Sequence, residues 1–186
     1  LSPQYNRRDD HYGGNAERRA KILWEVIAGV NESCGRGFSL GVRLSPERFG
    51  QRTAEIRDLA AALLLDQRLD YLDMSLWDLA KPAHDEVFEG QSLLEIFTNL
   101  PREGVALGAA GKLYGAAQCQ HALDQGLDFV MVGRAGIVHH DFPLRAFANP
   151  EFVMTDLPVS REHLRQERLG PPFIDYMATW KGFVAD

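Results

Sequence analysis

The feature that most constrains the fold is an alternation of a short apolar segment and a helical segment, which repeats four times after residue 37. The apolar segments begin near residues 38, 69, 105 and 127, and each is followed by apolar residues at helical spacing. Parallel strands need a crossover of a dozen or more residues, which these intervals supply. The alternation therefore predicts an α/β fold with a parallel sheet.

The predicted elements follow from periodicity and from residues that begin or end helices. Asn15 is a predicted N-cap after the flexible pair Gly13 and Gly14, and Pro101 ends a later helix. The strands are predicted over 38–45, 69–76, 105–113 and 127–134, and the helices over 15–31, 53–67, 91–100, 114–125 and 142–148.

The first strand has two unlike faces, which favours a barrel over an open sheet. An open doubly wound sheet is covered by helices on both sides, so its strands tend to be apolar throughout. In this strand bulky apolar residues alternate with small or polar ones: Phe38, Leu40, Val42 and Leu44 against Ser39, Gly41, Arg43 and Ser45. A (β/α)8 TIM-type barrel has about 250 residues. The 186 residues are therefore predicted to form about the last four βα units of one.

The net charge and the cysteine content argue against several classes of function. The net charge of −6 argues against binding to nucleic acid or to an anionic membrane surface. No apolar run approaches the length of a membrane span, and the polar start does not resemble an export signal, so a cytoplasmic protein is expected. Cys34 and Cys119 lie far apart, which excludes a zinc or iron–sulfur site held by cysteines of this chain and favours two reduced thiols.

Two strand ends carry glycine followed by a basic residue. Gly111 and Lys112 follow the third strand, and Gly133 and Arg134 follow the fourth. Glycine lets backbone N–H groups approach phosphate oxygens, a helix N-terminus favours the charge, and lysine or arginine supplies a countercharge. The sequence thus predicts a phosphate site at Gly111, Lys112, Gly133 and Arg134, with two tight turns and a solvated arginine as the alternative.

Arg43 is predicted to point into the mouth of the barrel. A buried guanidinium without a partner is costly, so Arg43 requires an acidic side chain or an anionic ligand. The two interpretations are an anion bound at the mouth and an ion pair with Asp73 on the adjacent strand.

Other charged or aromatic stretches are interpreted as structural. The mixed-sign run "RRDDHYGGNAERR" predicts local ion pairs that include Arg19, rather than a nucleic-acid site. His139, His140 and Asp141 are predicted to form a solvated helix start without a metal. Residues 151–186 are predicted to form a tail that packs on the barrel or on a neighbouring subunit.

Several motifs together resemble a known family. The segments "LSPQYNRRDDHYGGNAERRAKILWEVI", "FSLGVRLSP", "YLDMS", "GAAGK" and "VMVGRA" are similar to the second half of the old yellow enzyme family, the FMN-dependent ene-reductases and NAD(P)H:flavin oxidoreductases. The resemblance covers residues 1–150, nearly all of the chain. It implies an eight-stranded β/α barrel with FMN at its mouth.

The resemblance also implies roles for individual residues. Arg43 matches the family's arginine at the N1/O2 edge of the flavin, where its charge would stabilise the anionic reduced form. Gly111, Lys112, Gly133 and Arg134 match the strand ends that bind the FMN phosphate. The family often has two glycines at the first of these turns, whereas this chain has Ala110 before Gly111.

The resemblance implies as well what this chain lacks. The family's paired His/His or His/Asn residues and its proton-donating tyrosine come from the fourth strand of the barrel, which precedes Leu1. No catalytic residue is therefore expected here, and the missing N-terminal half-barrel or a second copy is the expected partner. The parent is expected to pass hydride from NAD(P)H through FMN to an activated alkene. The alternatives are a non-catalytic half-barrel that binds FMN or another phosphate ligand, an interaction module, and a phosphosugar-type barrel without flavin.

Overall fold

The four strands of the described residues form one parallel sheet. The computed structural model describes residues 1–35 and 37–185. The strands lie in the order β1-β2-β3-β4, and all neighbouring pairs are parallel. Their bounds are β1 Gly41–Leu44, β2 Tyr71–Ser75, β3 Ala106–Ala110 and β4 Phe129–Met131. The predicted α/β class with a parallel sheet is confirmed.

Helices connect the strands and follow the last of them. A short 3-10 helix, Glu86–Phe88, lies between β2 and α3. The α-helices are α1 Ala16–Cys34, α2 Thr53–Leu64, α3 Leu93–Thr98, α4 Ala116–Asp124, α5 Arg134–Val138, α6 Phe142–Ala148, α7 Arg161–Gln166 and α8 Pro171–Ala178. The helix predicted over 142–148 has the predicted bounds, and α5 begins at the helix start that was predicted, without bounds, after Gly133, whereas α7 and α8 were not predicted.

The start of α1 is fixed by its cap and by a buried arginine. The Asn15 side chain accepts a hydrogen bond from the backbone N–H of Arg18, which confirms the predicted N-cap. Arg19 is buried, donates to the carbonyl of Leu1 at 2.6 Å and forms an ion pair with Glu55 of α2. The arginine therefore joins α1 to α2, in agreement with the predicted structural role.

The first strand is shorter than predicted. Phe38 lies outside it and is 53% exposed, so its predicted place on the apolar face is wrong. The backbone N–H of Leu40 donates to the side-chain carboxylate of Asp70 at 2.6 Å instead of to a strand carbonyl. The carbonyl of Leu40 still accepts a hydrogen bond from the backbone N–H of Asp70 at 2.8 Å, so Leu40 pairs with the neighbouring backbone through its carbonyl but not through its N–H.

The two faces of the sheet differ in the way that the alternation predicts. One face carries the buried apolar residues Val42, Leu44, Leu72, Met74, Leu107 and Ala109. The register places a second set side by side on the opposite face: Arg43, Asp73, Gly108 and Phe129. We call this opposite side the polar face, because it carries the charged residues Arg43 and Asp73.

Two glycines make room for aromatic rings on the polar face. A Cβ atom at Gly41 would overlap the ring of Tyr71, and one at Gly108 would overlap the ring of Phe129. The two rings meet edge to face with their centroids 5.8 Å apart. The rings therefore occupy the space that side chains at the two glycines would take.

Two compact units divide the chain. The first comprises residues 1–111 and 122–131, and it contains the sheet. The second comprises residues 112–121 and 132–186. The core of the second unit is formed by Val138, Val159, Leu164, Ile174, Met177 and Phe183. The units interleave along the chain, and the predicted boundary at residue 150 stays a prediction.

The helices are short or polar compared with a membrane span. Within residues 1–35 and 37–185, none is both long enough and apolar enough to cross a bilayer.

Candidate flavin-contact residues

Arg43 is held at the carboxyl end of β1 by two side chains of β2. Its Nε donates to Oγ of Ser75 at 2.6 Å and lies 3.3 Å from Oδ2 of Asp73. Both contacts use Nε, so they do not occupy the two terminal nitrogens of the guanidinium. The side chain is 66% exposed on the polar face. The ion pair with Asp73 is present, and the terminal nitrogens of Arg43 are still placed to meet an anion.

Asp73 is buried although it lies on the polar face. Its side chain is 6% exposed, and Oδ1 has no hydrogen-bond partner among the described residues. Burial raises the pKa of Asp73, and the nearby charge of Arg43 opposes that rise. Burial is the larger of the two effects, and the ion pair with Arg43 is the contact that favours the ionised form of Asp73.

Gly111 lies where the chain leaves β3 and passes close to another backbone segment. A Cβ atom there would lie 2.8 Å from the backbone nitrogen of Asp78 and 2.6 Å from Cδ1 of Leu79. Glycine is thus required at this position by packing within the first unit. That requirement is independent of any phosphate.

We expect Gly111→Ala to lower the free energy of unfolding by about 1–3 kcal/mol, because the added methyl group meets backbone that must shift. Gly133→Ala is the matched control, since nothing lies within 4 Å of a Cβ there. Urea unfolding of the two variants measures the difference. Equal stability of the two variants would contradict the packing role of Gly111.

The start of α4 donates its first N–H groups within the protein. The backbone N–H groups of Tyr114 and Gly115 both donate to Oε1 of Gln118, at 2.8 and 3.1 Å, and that of Ala116 donates to the carbonyl of Phe152 at 2.8 Å. These donors are therefore engaged before any ligand binds. Lys112, which precedes them, is exposed and has a left-handed backbone with φ of 51°.

The start of α5 differs from that of α4. Gly133 is its N-cap residue, and no side chain of the described residues caps the helix. Arg134 is exposed at the first helical position, and its Nη1 donates to the hydroxyl oxygen of Tyr114 at 3.0 Å. Both residues lie in the second unit. Tyr114 was not predicted, because its contact with Arg134 spans 20 residues and leaves no local pattern.

The histidines after α5 are not placed as predicted. His139 is buried, with 4% of its surface exposed, so the predicted solvated helix start is wrong for this residue. The backbone N–H of Thr155 donates to its Nε2 at 3.0 Å, and its ring packs edge to face on Phe152. Asp141 is the N-cap residue of α6, close to its predicted place in the first turn.

Glu167 joins this histidine segment to the end of α7. Its carboxylate accepts hydrogen bonds from the backbone N–H of His140 at 2.9 Å and from Nδ1 of His140 at 2.7 Å. Nη2 of Arg145 lies 3.6 Å away, and Nδ1 of His139 lies 3.5 Å away. The sequence gives no sign of this arrangement, because Glu167 is 27 residues from His140.

Two groups of these side chains are close enough together to hold a metal ion: His139, His163 and Glu167, and His140, Asp141 and Glu167. The hydrogen bond from Thr155 to Nε2 of His139 places the ring proton on Nδ1 in the neutral form. A metal at Nδ1 would displace that proton, which disfavours the first group. In the second group Arg145 donates to Asp141 at 2.6 Å and adds positive charge. The expected absence of a metal stays a prediction.

Comparison with known proteins identifies the family. A family model described as the NADH:flavin oxidoreductase / NADH oxidase family matches residues 1–150. The chain belongs to this family. The resemblance to old yellow enzymes is thereby confirmed, and FMN and NAD(P)H are the cofactor and reductant of the family, as expected.

Among curated proteins, the relatives are oxidoreductases. An NADPH dehydrogenase of Bacillus cytotoxicus is 30% identical over 159 residues, which cover 84% of this chain and 45% of the relative. An NADH:acrylate oxidoreductase of Vibrio harveyi is 31% identical over 147 residues, which cover 74% of this chain and 15% of the relative. The chain therefore spans less than half the length of these relatives.

Solved structures agree with this assignment. Morphinone reductase in complex with tetrahydroNAD is 30% identical with a TM-score of 0.63, over 88% of this chain and 42% of that one. An old yellow enzyme homologue from Zymomonas mobilis, 23% identical with a TM-score of 0.67, covers 95% of this chain and 48% of that one, and supports the fold alone. The predicted partial TIM-type barrel is confirmed.

Proposed function

We propose that this chain is the C-terminal half of an FMN-dependent ene-reductase, which passes hydride from NAD(P)H through FMN to an activated alkene. The observation that carries the proposal is Arg43, an exposed guanidinium fixed by Asp73 and Ser75 at a strand end of a family member. The proposed partner is an N-terminal half-barrel, because the relatives are more than twice as long as the matched segment.

The residues at the strand ends fit the chemistry of FMN. The small residues Ala106, Gly108 and Ala110 of β3 lie on the polar face, where Gly108 is the register partner of Asp73. Arg43 provides a cationic donor on the polar face, and Arg134 provides a second beside an uncapped helix start. FMN requires a donor for its ring, which accepts hydrogen bonds, and a cation for its phosphate, which is anionic. Arg43 is proposed for the first contact and Arg134 for the second.

We assign the phosphate contact first to Gly133 and Arg134. The early N–H groups of α4 are engaged by Gln118 and Phe152, whereas α5 has no side-chain cap. Gly111 and Lys112 remain proposed phosphate contacts, but the glycine is also required by packing. Bound FMN would supply the hydride chemistry. This chain would orient the cofactor and provide positive charge where the reduced flavin is negative.

The proposed N-terminal half supplies the remaining residues of the site. The pair of residues that orients the substrate, and the proton donor, are proposed to come from that half, so this chain alone is expected to be inactive. The substrate is proposed to be a small molecule with an alkene next to an electron-withdrawing group. A cytoplasmic location is proposed from the reduced state of two separate cysteines, of which Cys119 is buried.

The experiment uses the complete barrel, by which we mean this chain together with the half-barrel that precedes it in its protein. The complete barrel is purified, loaded with FMN and mixed with NADH or NADPH without oxygen. We expect the visible absorbance of the flavin to bleach and to return when an α,β-unsaturated ketone is added. A protein that binds no FMN, or a gene that starts immediately before Leu1, would contradict the proposal.

A further inference from the structure

We propose that Asp73 is a positioning residue for the flavin: its buried carboxylate forms an ion pair with Arg43, beside the hydrogen bond from Nε to Ser75, and offsets part of the positive charge that Arg43 presents to the cofactor. This inference rests on the proposed FMN site. It adds a negative charge to that site, and it assigns to that charge a defined effect on the reduction of the flavin.

The geometry of the pair is set by the backbone of two strands. Arg43 of β1 and Asp73 of β2 are register partners, so their side chains leave the sheet side by side. Ser75 lies two residues further along β2 on the same face and accepts a hydrogen bond from Nε at 2.6 Å. The guanidinium is therefore held on one edge by two side chains of one strand.

The two charges of the pair differ in their contact with solvent. The Asp73 side chain is 6% exposed, whereas that of Arg43 is 66% exposed. Gly108 is the register partner of Asp73 on β3, and the ring of Phe129 lies where a side chain of Gly108 would be. The negative charge is thus enclosed by protein, and the positive charge extends beyond it.

An enclosed charge acts on its surroundings with little screening. Oδ1 of Asp73 has no hydrogen-bond partner among the described residues, so the negative charge of this carboxylate is balanced mainly by Arg43. An anion that binds the terminal nitrogens of Arg43 therefore meets an ion pair, not an isolated cation. Reduction of the flavin to its anionic form is expected to be less favourable with Asp73 than with a neutral residue of the same shape.

The test is the midpoint potential of FMN in the complete barrel and in its Asp73→Asn variant, measured by equilibration with a reference dye. At a fixed dye potential, we expect the ratio of reduced to oxidised flavin to rise by about tenfold in the variant, on the order of 30 mV for a two-electron couple. Asp175→Asn removes the same charge from an exposed surface pair, and we expect it to leave the potential unchanged.

The variants separate this inference from the proposed function. Arg43→Ala is expected to lower the ratio of reduced to oxidised flavin. If it does so while Asp73→Asn leaves the ratio unchanged, the role of Asp73 is overturned and the FMN site stands. If the unsubstituted protein binds no FMN, the proposed function is overturned, and the role of Asp73 with it.

A second measurement applies if Asp73→Asn does not retain FMN. Because coupling between two sites is reciprocal, reduction of the bound flavin should raise the pKa of Asp73 in the unsubstituted protein. The carboxyl resonance of Asp73 in carbon-13 NMR spectra, followed with pH in both flavin states, gives this shift. The same pKa in both states would overturn the inference.

Discussion

Replacing Glu167 by alanine is expected to lower the free energy of unfolding by about 1–3 kcal/mol, because the change removes a buried carboxylate that accepts two hydrogen bonds. The carboxylate is 9% exposed and accepts two hydrogen bonds from His140, from its backbone N–H and its ring. Arg145, whose Nη2 lies 3.6 Å away, would lose a countercharge. Urea unfolding followed by circular dichroism measures the change.

The matched control is Glu162→Ala on the same helix. Glu162 is 64% exposed and pairs with Arg165, and exposed pairs of this kind contribute little to stability. We expect the control to change the free energy of unfolding by less than about 0.5 kcal/mol. If Glu167→Ala lowered the free energy of unfolding by no more than Glu162→Ala does, the network would not stabilise the second unit.

The same network predicts the pH dependence of stability. Burial and the nearby Arg145 lower the pKa of His139 below its usual 6.5, so the folded state disfavours its protonation. Burial opposes the charge of Glu167, but the hydrogen bonds from His140 outweigh it and hold the pKa below the usual 4.5. Both groups therefore stabilise the fold at neutral pH. That stability is lost below pH 6.5 for His139 and below pH 4.5 for Glu167.

Arg134→Ala is expected to raise the dissociation constant of FMN from the complete barrel by about 10- to 100-fold, because a charge-assisted hydrogen bond contributes about 1.5–3 kcal/mol. Arg134 is exposed and contacts Tyr114, so its removal leaves no buried group without a partner. Ultrafiltration of the loaded protein, with the free flavin read by fluorescence, measures the constant.

Arg165→Ala is the control for charge, since Arg165 is a surface arginine of the same unit that pairs with Glu162. We expect its FMN affinity to equal that of the unsubstituted protein. If Arg134→Ala retained FMN equally well, the phosphate role of Arg134 would have to be abandoned.

Much of the fold could be predicted because its signals are local. The cap at Asn15 and the alternation around Val42 lie within single elements, and both correspond to observed features. A helix start was predicted after Gly133, but the bounds of α5 were not, because five residues are too few for a periodic pattern. The predicted start of β1 was too early: Phe38 is exposed, and the backbone N–H of Leu40 donates to the side chain of Asp70, 30 residues away.

The part of the site that could be predicted consists of residues at the ends of single strands. Arg43 was assigned either an anion or Asp73 as its partner, and the structure shows that the ion pair leaves the terminal nitrogens unused by that contact. Two further features depend on contacts between distant segments: the packing of Gly111 against Asp78, and the hydrogen bonds from His140 to Glu167. Sequence periodicity carries no information about such contacts.

The most direct test of the account compares FMN with riboflavin, which has the same ring but no phosphate. Both are titrated into the flavin-free complete barrel, and the two dissociation constants are read from quenching of flavin fluorescence. Because the chain is proposed to supply the phosphate contacts, we expect FMN to bind about 100-fold or more tightly than riboflavin. Equal affinities for the two flavins would contradict the account.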